Sequence, residues 1–208
     1  MSRWLDPKRL LNSVHNSAVF NRRVRVLAQS LAAAIPQRGR VLDLGSGDGS
    51  IAAALMAERP DLHIEGVEVM MRPHSRIPVT AYDGTTLPFA DRSFDYVTVV
   101  DVLHHTEDPA VVLAEAARVA RLGVVLKDHL LEGVLAGPTL RFMDWVGNRG
   151  HDVVLPYNYL TRAQWQQVFS EAGLTPQSNN EKLHIYPVPF SWIFDRGLHF
   201  VMLLTPAR

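Results

Sequence analysis

Cysteine does not occur in this chain, and its absence removes disulfide bridges, zinc–cysteine centres and thiolate nucleophiles together. Net charge is missing too. The 21 Lys+Arg balance 21 Asp+Glu, leaving no electrostatic footprint for DNA or tRNA, so a small-molecule partner is favoured over nucleic acid. No apolar run approaches the ~18 residues of a membrane span, and the opening Met-Ser-Arg-Trp-Leu-Asp-Pro has no apolar leader core, so the expected compartment is the cytoplasm. Neither an internal repeat nor a low-complexity tract is present. Metal-binding spacing is also lacking: there is no His-x-x-x-His pair and no carboxylate-rich cluster, which argues against a catalytic metal. A length of 208 residues fits a single domain.

What is present concentrates between Arg40 and Gly49, where Arg-Val-Leu-Asp-Leu-Gly-Ser-Gly-Asp-Gly joins a short apolar run to three alternating glycines. Val41, Leu42 and Leu44 suit a strand buried on both faces. Gly45, Gly47 and Gly49 remove the Cβ atoms that would hold a ligand away from the backbone. Ser50 then opens an Ala-rich helical stretch, and a strand, glycine loop and helix N-terminus together make a nucleotide site of a doubly wound α/β domain. The dinucleotide fingerprint G-x-G-x-x-G is only partly met. Asp43, two residues before the first glycine, and Asp48 inside the loop would repel a pyrophosphate and favour a ligand with positive charge. A sulfonium- and ammonium-bearing ligand, S-adenosylmethionine, suits these acids better than a nicotinamide dinucleotide does.

From Val41 to about Leu126 the chain resembles the class I S-adenosylmethionine-dependent methyltransferases, in particular the small-molecule enzymes of the ubiquinone/menaquinone biosynthesis type. The resemblance implies a Rossmann-like α/β fold: a seven-stranded, mostly parallel sheet with one antiparallel strand near an edge and helices on both faces. It further implies that Asp43, Gly45, Ser46 and Gly47 cradle the cofactor. His63-Ile-Glu-Gly-Val-Glu68 reads as a second strand ending in an acid about 20 residues further on, where an adenosine-binding fold places the ribose carboxylate. Val79-Thr-Ala-Tyr-Asp83-Gly84 reads as a third strand ending in Asp-Gly. By resemblance Asp83, with Gly84, would serve the adenine, and Asp101 would lie near the methionine end.

Around this centre the pattern gives helices over residues 6–17 and 19–35, the second with an apolar face of Val24, Leu27, Leu31 and Ile35. Residues 1–39 form an N-terminal helical cap. A helix over 50–59 follows, then strands at 63–68 and 79–83, separated only by Met70 to Pro78, too few for a comfortable crossover helix. A strand over 95–101, a helix over 109–121 and a strand over 124–127 come next. Residues 130–160 break the alternation and read as an inserted substrate lid, with a helix over 135–146 and a turn over 147–150. Thr161-Arg-Ala-Gln164 has the form of a capping box opening a helix to Ala172, and strands over 174–178 and 199–204 close the sheet.

Mechanism turns on the nine histidines. His104 and His105 follow Asp101 at the carboxyl edge of the sheet, and His129 ends the fifth strand at the same edge. A histidine there can take a proton from a hydroxyl or amine near neutral pH. Trp145, Tyr157 and Tyr159, beside His151 and Asp152 in the inserted region, are candidates to line an acceptor pocket. The activity this implies is methyl transfer to an O, N or C nucleophile of a small molecule. The alternatives are a methyltransferase-like binding protein without catalysis and a nicotinamide-dependent reductase.

Overall fold

The computed structural model describes residues 7–147 and 157–207, with side chains from residue 19 onward. Residues 148–156, which hold His151, Asp152 and most of the expected 147–150 turn, lie outside the described residues. Seven strands form one sheet in the order β3-β2-β1-β4-β5-β7-β6. They are β1 Gly39–Leu44, β2 Leu62–Glu68, β3 Val79–Ala81, β4 Phe94–Val100, β5 Ala120–His129, β6 Leu174–Asn180 and β7 His199–Pro206. β1, β2, β3, β4 and β5 run parallel; β7 is antiparallel to both neighbours. This is the expected doubly wound sheet with one reversed strand near the edge.

Alternation along the strands sorts side chains into two cores. Leu42, Leu44, Val97, Val99, Val124, Leu126 and Phe200 pack on one face against α3 (Pro109–Val119) and α5 (Arg162–Glu171). Val41, Tyr96, Val125 and Val201 point the other way, onto α1 (Pro7–Ala34) and α2 (Ser50–Glu58). Both faces are covered, which is why these strands read as continuous apolar runs. Leu27 and Leu31 on the apolar face of α1, and Ile35 just past its end, are each at most 1% exposed. A third, smaller cluster seats α4 (Ala136–Gly147): Ala136 and Leu140 meet Tyr159 and Leu198.

Several boundaries differ from the sequence reading. The two expected N-terminal helices are one, α1, running through Asn16-Ser17. These residues are weak helix formers costing only tenths of a kcal/mol each, and no Pro or Gly stands there to break the turn. β3 stops at Ala81, short of Asp83. β5 starts at Ala120 rather than Val124, because Ala120 pairs with Phe94 before a register shift. β2 reaches β3 without a helix, as the short link demands. The Thr161/Gln164 capping box is formed in both directions.

The strand order reverses direction between β1 and β4. In open α/β sheets ligands bind outside the carboxyl ends at such a switch point. Here those ends carry the glycine loop after β1 and the Asp101–His105 segment after β4, with His129 ending β5 beside them.

Candidate active site

The glycine loop is held from below by β2. The amides of Gly45 and Ser46 donate to the Val67 carbonyl at 2.9 and 3.2 Å, and Gly47 N–H donates to Glu68 Oε2 at 2.8 Å. Gly45 and Gly47 have φ of 73° and 57°, conformations that side chains with a Cβ adopt at a cost. A Cβ at Gly45 would strike Val102 at 2.5 Å, whereas one at Gly47 would meet no atom within 4 Å. Gly47 therefore borders open space, and its missing side chain leaves room for a ligand rather than for protein. Ser46 Oγ is buried with no hydrogen-bond partner, a polar atom awaiting one.

The acids of this half differ in their surroundings. Asp43 is buried and accepts a 2.7 Å hydrogen bond from Thr98 Oγ1. Burial pushes its carboxyl up to about 6, against the Thr98 hydrogen bond and with help from Glu68. Glu68 uses Oε1 to accept from the amides of Val69 and Met70, at 2.9 and 3.1 Å. It thus ties the loop to the strand end where a ribose carboxylate is expected. Asp48 turns instead to Ser50, accepting from its amide at 3.0 Å and its hydroxyl at 2.7 Å. Asp83 stands beyond β3 in an exposed turn, where its Oδ1 accepts from the amides of Thr85 and Thr86 and from the Thr85 hydroxyl. These bonds hold it below the usual carboxylate range. Gly84 follows with φ 88°.

Opposite the loop lies a polar cluster whose density the sequence did not announce. Asp101, at φ 55°, is ion-paired with Lys127 of β5 and Arg23 of α1. Burial resists its charge, but Lys127 and Arg23 hold it well below the ordinary value. Lys127 is 1% exposed, and burial draws its ammonium down. Asp101 is thus already neutralised by protein cations, and a cofactor ammonium would have to share it.

Asp128, fully buried, anchors the histidines. Its Oδ1 lies 2.8 Å from His104 Nδ1 and 3.2 Å from His129 Nδ1, and its Oδ2 accepts from Leu103 N at 3.1 Å. Burial pulls the His104 imidazole down, but the carboxylates of Asp128 and Asp144 outweigh it and push it up to about 10. His129 and His199 go the other way, lowered by burial and by the Lys127 ammonium. His105 is lowered by burial and by its charged neighbour His104. Asp144 of α4 brings Oδ1 to 3.7 Å from His104 Nε2 and 3.8 Å from His105 Nε2, while its Oδ2 accepts from the Tyr159 hydroxyl at 2.9 Å.

All three expected catalytic histidines therefore meet in one place. Tyr159 joins them, stacked 5.6 Å from His104, and Tyr157 lies 6.3 Å from Tyr159. Trp145 sits on the outer side of α4, about half exposed. Sequence reasoning missed Arg23, Asp128, Asp144 and His199. Only Asp128 carried a signal, as the acid between Lys127 and His129.

A methyltransferase domain model matches residues 16–179. The chain belongs to the methyltransferase domain family. Within it, the chain is 32% identical over 179 residues to the 27-O-demethylrifamycin SV methyltransferase of Amycolatopsis mediterranei, covering 78% of this chain and 64% of that protein. It is 39% identical over 103 residues to the demethylmenaquinone methyltransferase of a Roseiflexus species, covering 45% of this chain and 43% of the relative. The chain thus spans less than two thirds of the length of these relatives. Among solved structures, the PH0226 protein of Pyrococcus horikoshii shares the fold with a TM-score of 0.64 at 17% identity, over 90% of this chain and 91% of that one. CalO1, a methyltransferase of calicheamicin biosynthesis seen in its SAH-bound form, gives 0.62 at 20%, over 89% of this chain and 54% of its own. For a chain of this family the residues after β1 fit an S-adenosylmethionine moiety: an open glycine edge, an orphaned buried hydroxyl and two acids. No helix among the described residues is long and apolar enough to cross a membrane.

Proposed function

We propose that this chain transfers a methyl group from S-adenosylmethionine to a hydroxylated, largely aromatic small molecule. The single observation that carries the reading is the meeting of two halves at one sheet edge: a loop after β1 with open space at Gly47 and an unpartnered Ser46 Oγ, and a histidine–carboxylate cluster built from the segment after β4 and the end of β5. When bound, the cofactor supplies an electrophilic methyl group on a sulfonium. Gly45, Ser46 and Gly47 admit it, Glu68 holds the ribose side, Asp83 and Gly84 border the adenine side, and Asp43 and Asp101 provide negative potential toward its cationic end.

On the acceptor side, Asp128 orients His129 through Nδ1. That arrangement leaves Nε2 as the lone-pair nitrogen, the one able to hold or take the acceptor's proton. His104 and His105 frame the same space, and Tyr157 and Tyr159 give it aromatic walls, whereas Trp145, expected from the sequence to join them, lies on the outer side of α4. The names of the rifamycin and demethylmenaquinone relatives agree with a small-molecule acceptor, and the first with methylation of an oxygen. The balanced charge supports a small molecule over nucleic acid. Methyl transfer itself calls for no metal.

Two measurements test the reading. Calorimetry with S-adenosylhomocysteine should show one site per chain, and radiolabelled S-adenosylmethionine should label a reduced naphthoquinone or related phenol. Absence of S-adenosylhomocysteine binding by the folded protein would refute it.

A further inference from the structure

We propose that His104, His105 and Asp144 form a binding site for a divalent first-row transition ion such as Zn2+. One ligand atom from each of the three lies within 4.8 Å of the others, and the two imidazoles turn Nε2 to Asp144 Oδ1. Two imidazoles and one carboxylate on one side of an ion form a donor set known for borderline divalent metals, with positions left open for water or an acceptor oxygen. Metal–nitrogen and metal–oxygen bonds of about 2.0–2.1 Å in tetrahedral geometry put ligand atoms about 3.3–3.4 Å apart. The observed 3.7 and 3.8 Å separations from Asp144 Oδ1 therefore need to close by about 0.4 Å.

The outer shell is what distinguishes this cluster from an accidental grouping. His104 Nδ1 lies 2.8 Å from the buried Asp128, the carboxylate–histidine arrangement that fixes a ligating ring with Nε2 forward. Asp144 Oδ2 accepts from Tyr159, so its Oδ1 is the oxygen turned to the imidazoles. His105 Nδ1 is buried without a hydrogen-bond partner, so no such bond fixes its ring against the turn that closes the site. A neighbouring group, Asp101, His104, Asp128 and His129, has comparable spacing. It is a poor cation site, because Lys127 and Arg23 already neutralise Asp101, and Asp128 is filled by its hydrogen bonds. An ion at the first cluster would stand beside His129, where its open positions would orient an acceptor hydroxyl.

This inference goes beyond methyl transfer, which the same cluster can support without a metal. The test is therefore binding rather than activity. The full chain, dialysed against a chelator, is titrated with Co2+ by calorimetry and visible absorption, and with Zn2+ in competition. The expected result is one ion per chain with a spectrum of low-coordinate, nitrogen-ligated Co2+. His105→Ala and Asp144→Asn should each weaken binding at least about 10-fold, and Tyr159→Phe, which removes one hydroxyl, by about 10- to 100-fold. Circular dichroism checks that each variant folds, and if the ligand variants do not, Tyr159→Phe decides. No saturable uptake at millimolar metal, or uptake unchanged in the variants, overturns the site. S-adenosylhomocysteine affinity measured on the same metal-free samples reports on the cofactor reading independently, so either can fail alone.

Discussion

Replacing Asp43 by asparagine should change the shape of the pH–stability curve, not only its height. Asp43 is buried beneath the glycine loop, and the groups facing it are the Thr98 hydroxyl on β4 and the Glu68 carboxylate on β2. Burial raises its carboxyl from 3.8 to about 6 in the folded chain. Because the folded state then binds the proton more tightly than the unfolded state, stability falls as pH rises. The cost is absent below pH 3.8, accumulates between 3.8 and about 6, and is fully present above that. A shift of this size corresponds to about 3 kcal/mol at neutral pH, on the order of 1.4 kcal/mol per unit.

Asparagine cannot ionise, so the Asp43→Asn variant lacks that slope. It also brings an amide NH2 into a buried site, a penalty of about 1–3 kcal/mol if it finds no partner, but this penalty does not depend on pH and cancels in a difference. The assay is urea unfolding of both proteins, without cofactor, across pH 4 to 8 at about 1.4 kcal/mol per decade of equilibrium constant. The stability of the variant minus that of the parent should grow by about 2.5 kcal/mol across the range. A flat difference would mean that Asp43 ionises in the folded chain at little cost, and would refute the burial argument.

Three further outcomes follow from the same geometry. Gly47→Val should fold with a loss of about 1–3 kcal/mol from its left-handed backbone, because a Cβ there meets nothing within 4 Å. Calorimetry should nevertheless find S-adenosylhomocysteine binding abolished, and retained affinity would make the loop a simple turn. Glu68→Ala removes the acceptor for Gly47, Val69 and Met70 amides, and S-adenosylhomocysteine affinity should drop by roughly 1.5–3 kcal/mol; a loss of only a few tenths would take Glu68 out of the site. His129→Ala should lower kcat/KM by about 10² to 10⁴ with cofactor affinity intact, whereas normal turnover per folded molecule with a lower Tm would assign the ring to packing.

The parts of the fold written in local pattern were legible. The apolar run into Gly45-Ser-Gly47 specified β1 and its loop, because burial on both faces and a close backbone approach each leave a residue-type signature. Thr161 and Gln164 specified the start of α5 for a similar reason: a capping box is a contact between residues three apart. Boundaries failed where the deciding contact was distant. Ala120 is a strand residue because Phe94 pairs with it across the sheet, and nothing in Ala120-Arg-Leu-Gly123 says so. Asp83 looked like a strand end but was taken by Thr85 and Thr86, whose amides offer an aspartate a local turn.

The active-site cluster shows the same division more sharply. His104 and His105 were visible as a pair, and the carboxyl edge of the sheet gave them a place. Their chemistry depends on two acids that arrive from elsewhere. Asp128 comes from β5 and pins His104 from behind, while Asp144 comes from α4, 39 residues after His105. A search by spacing finds metal ligands only when they share a helix or a turn, so the lack of a His-x-x-x-His motif says nothing about sites assembled from separate elements. α4 carries Asp144 inward and Trp145 outward on consecutive positions. The helix that presents aromatic surface to solvent is therefore the one that completes the polar cluster, and any displacement of α4 would change the surroundings of His104 and His105.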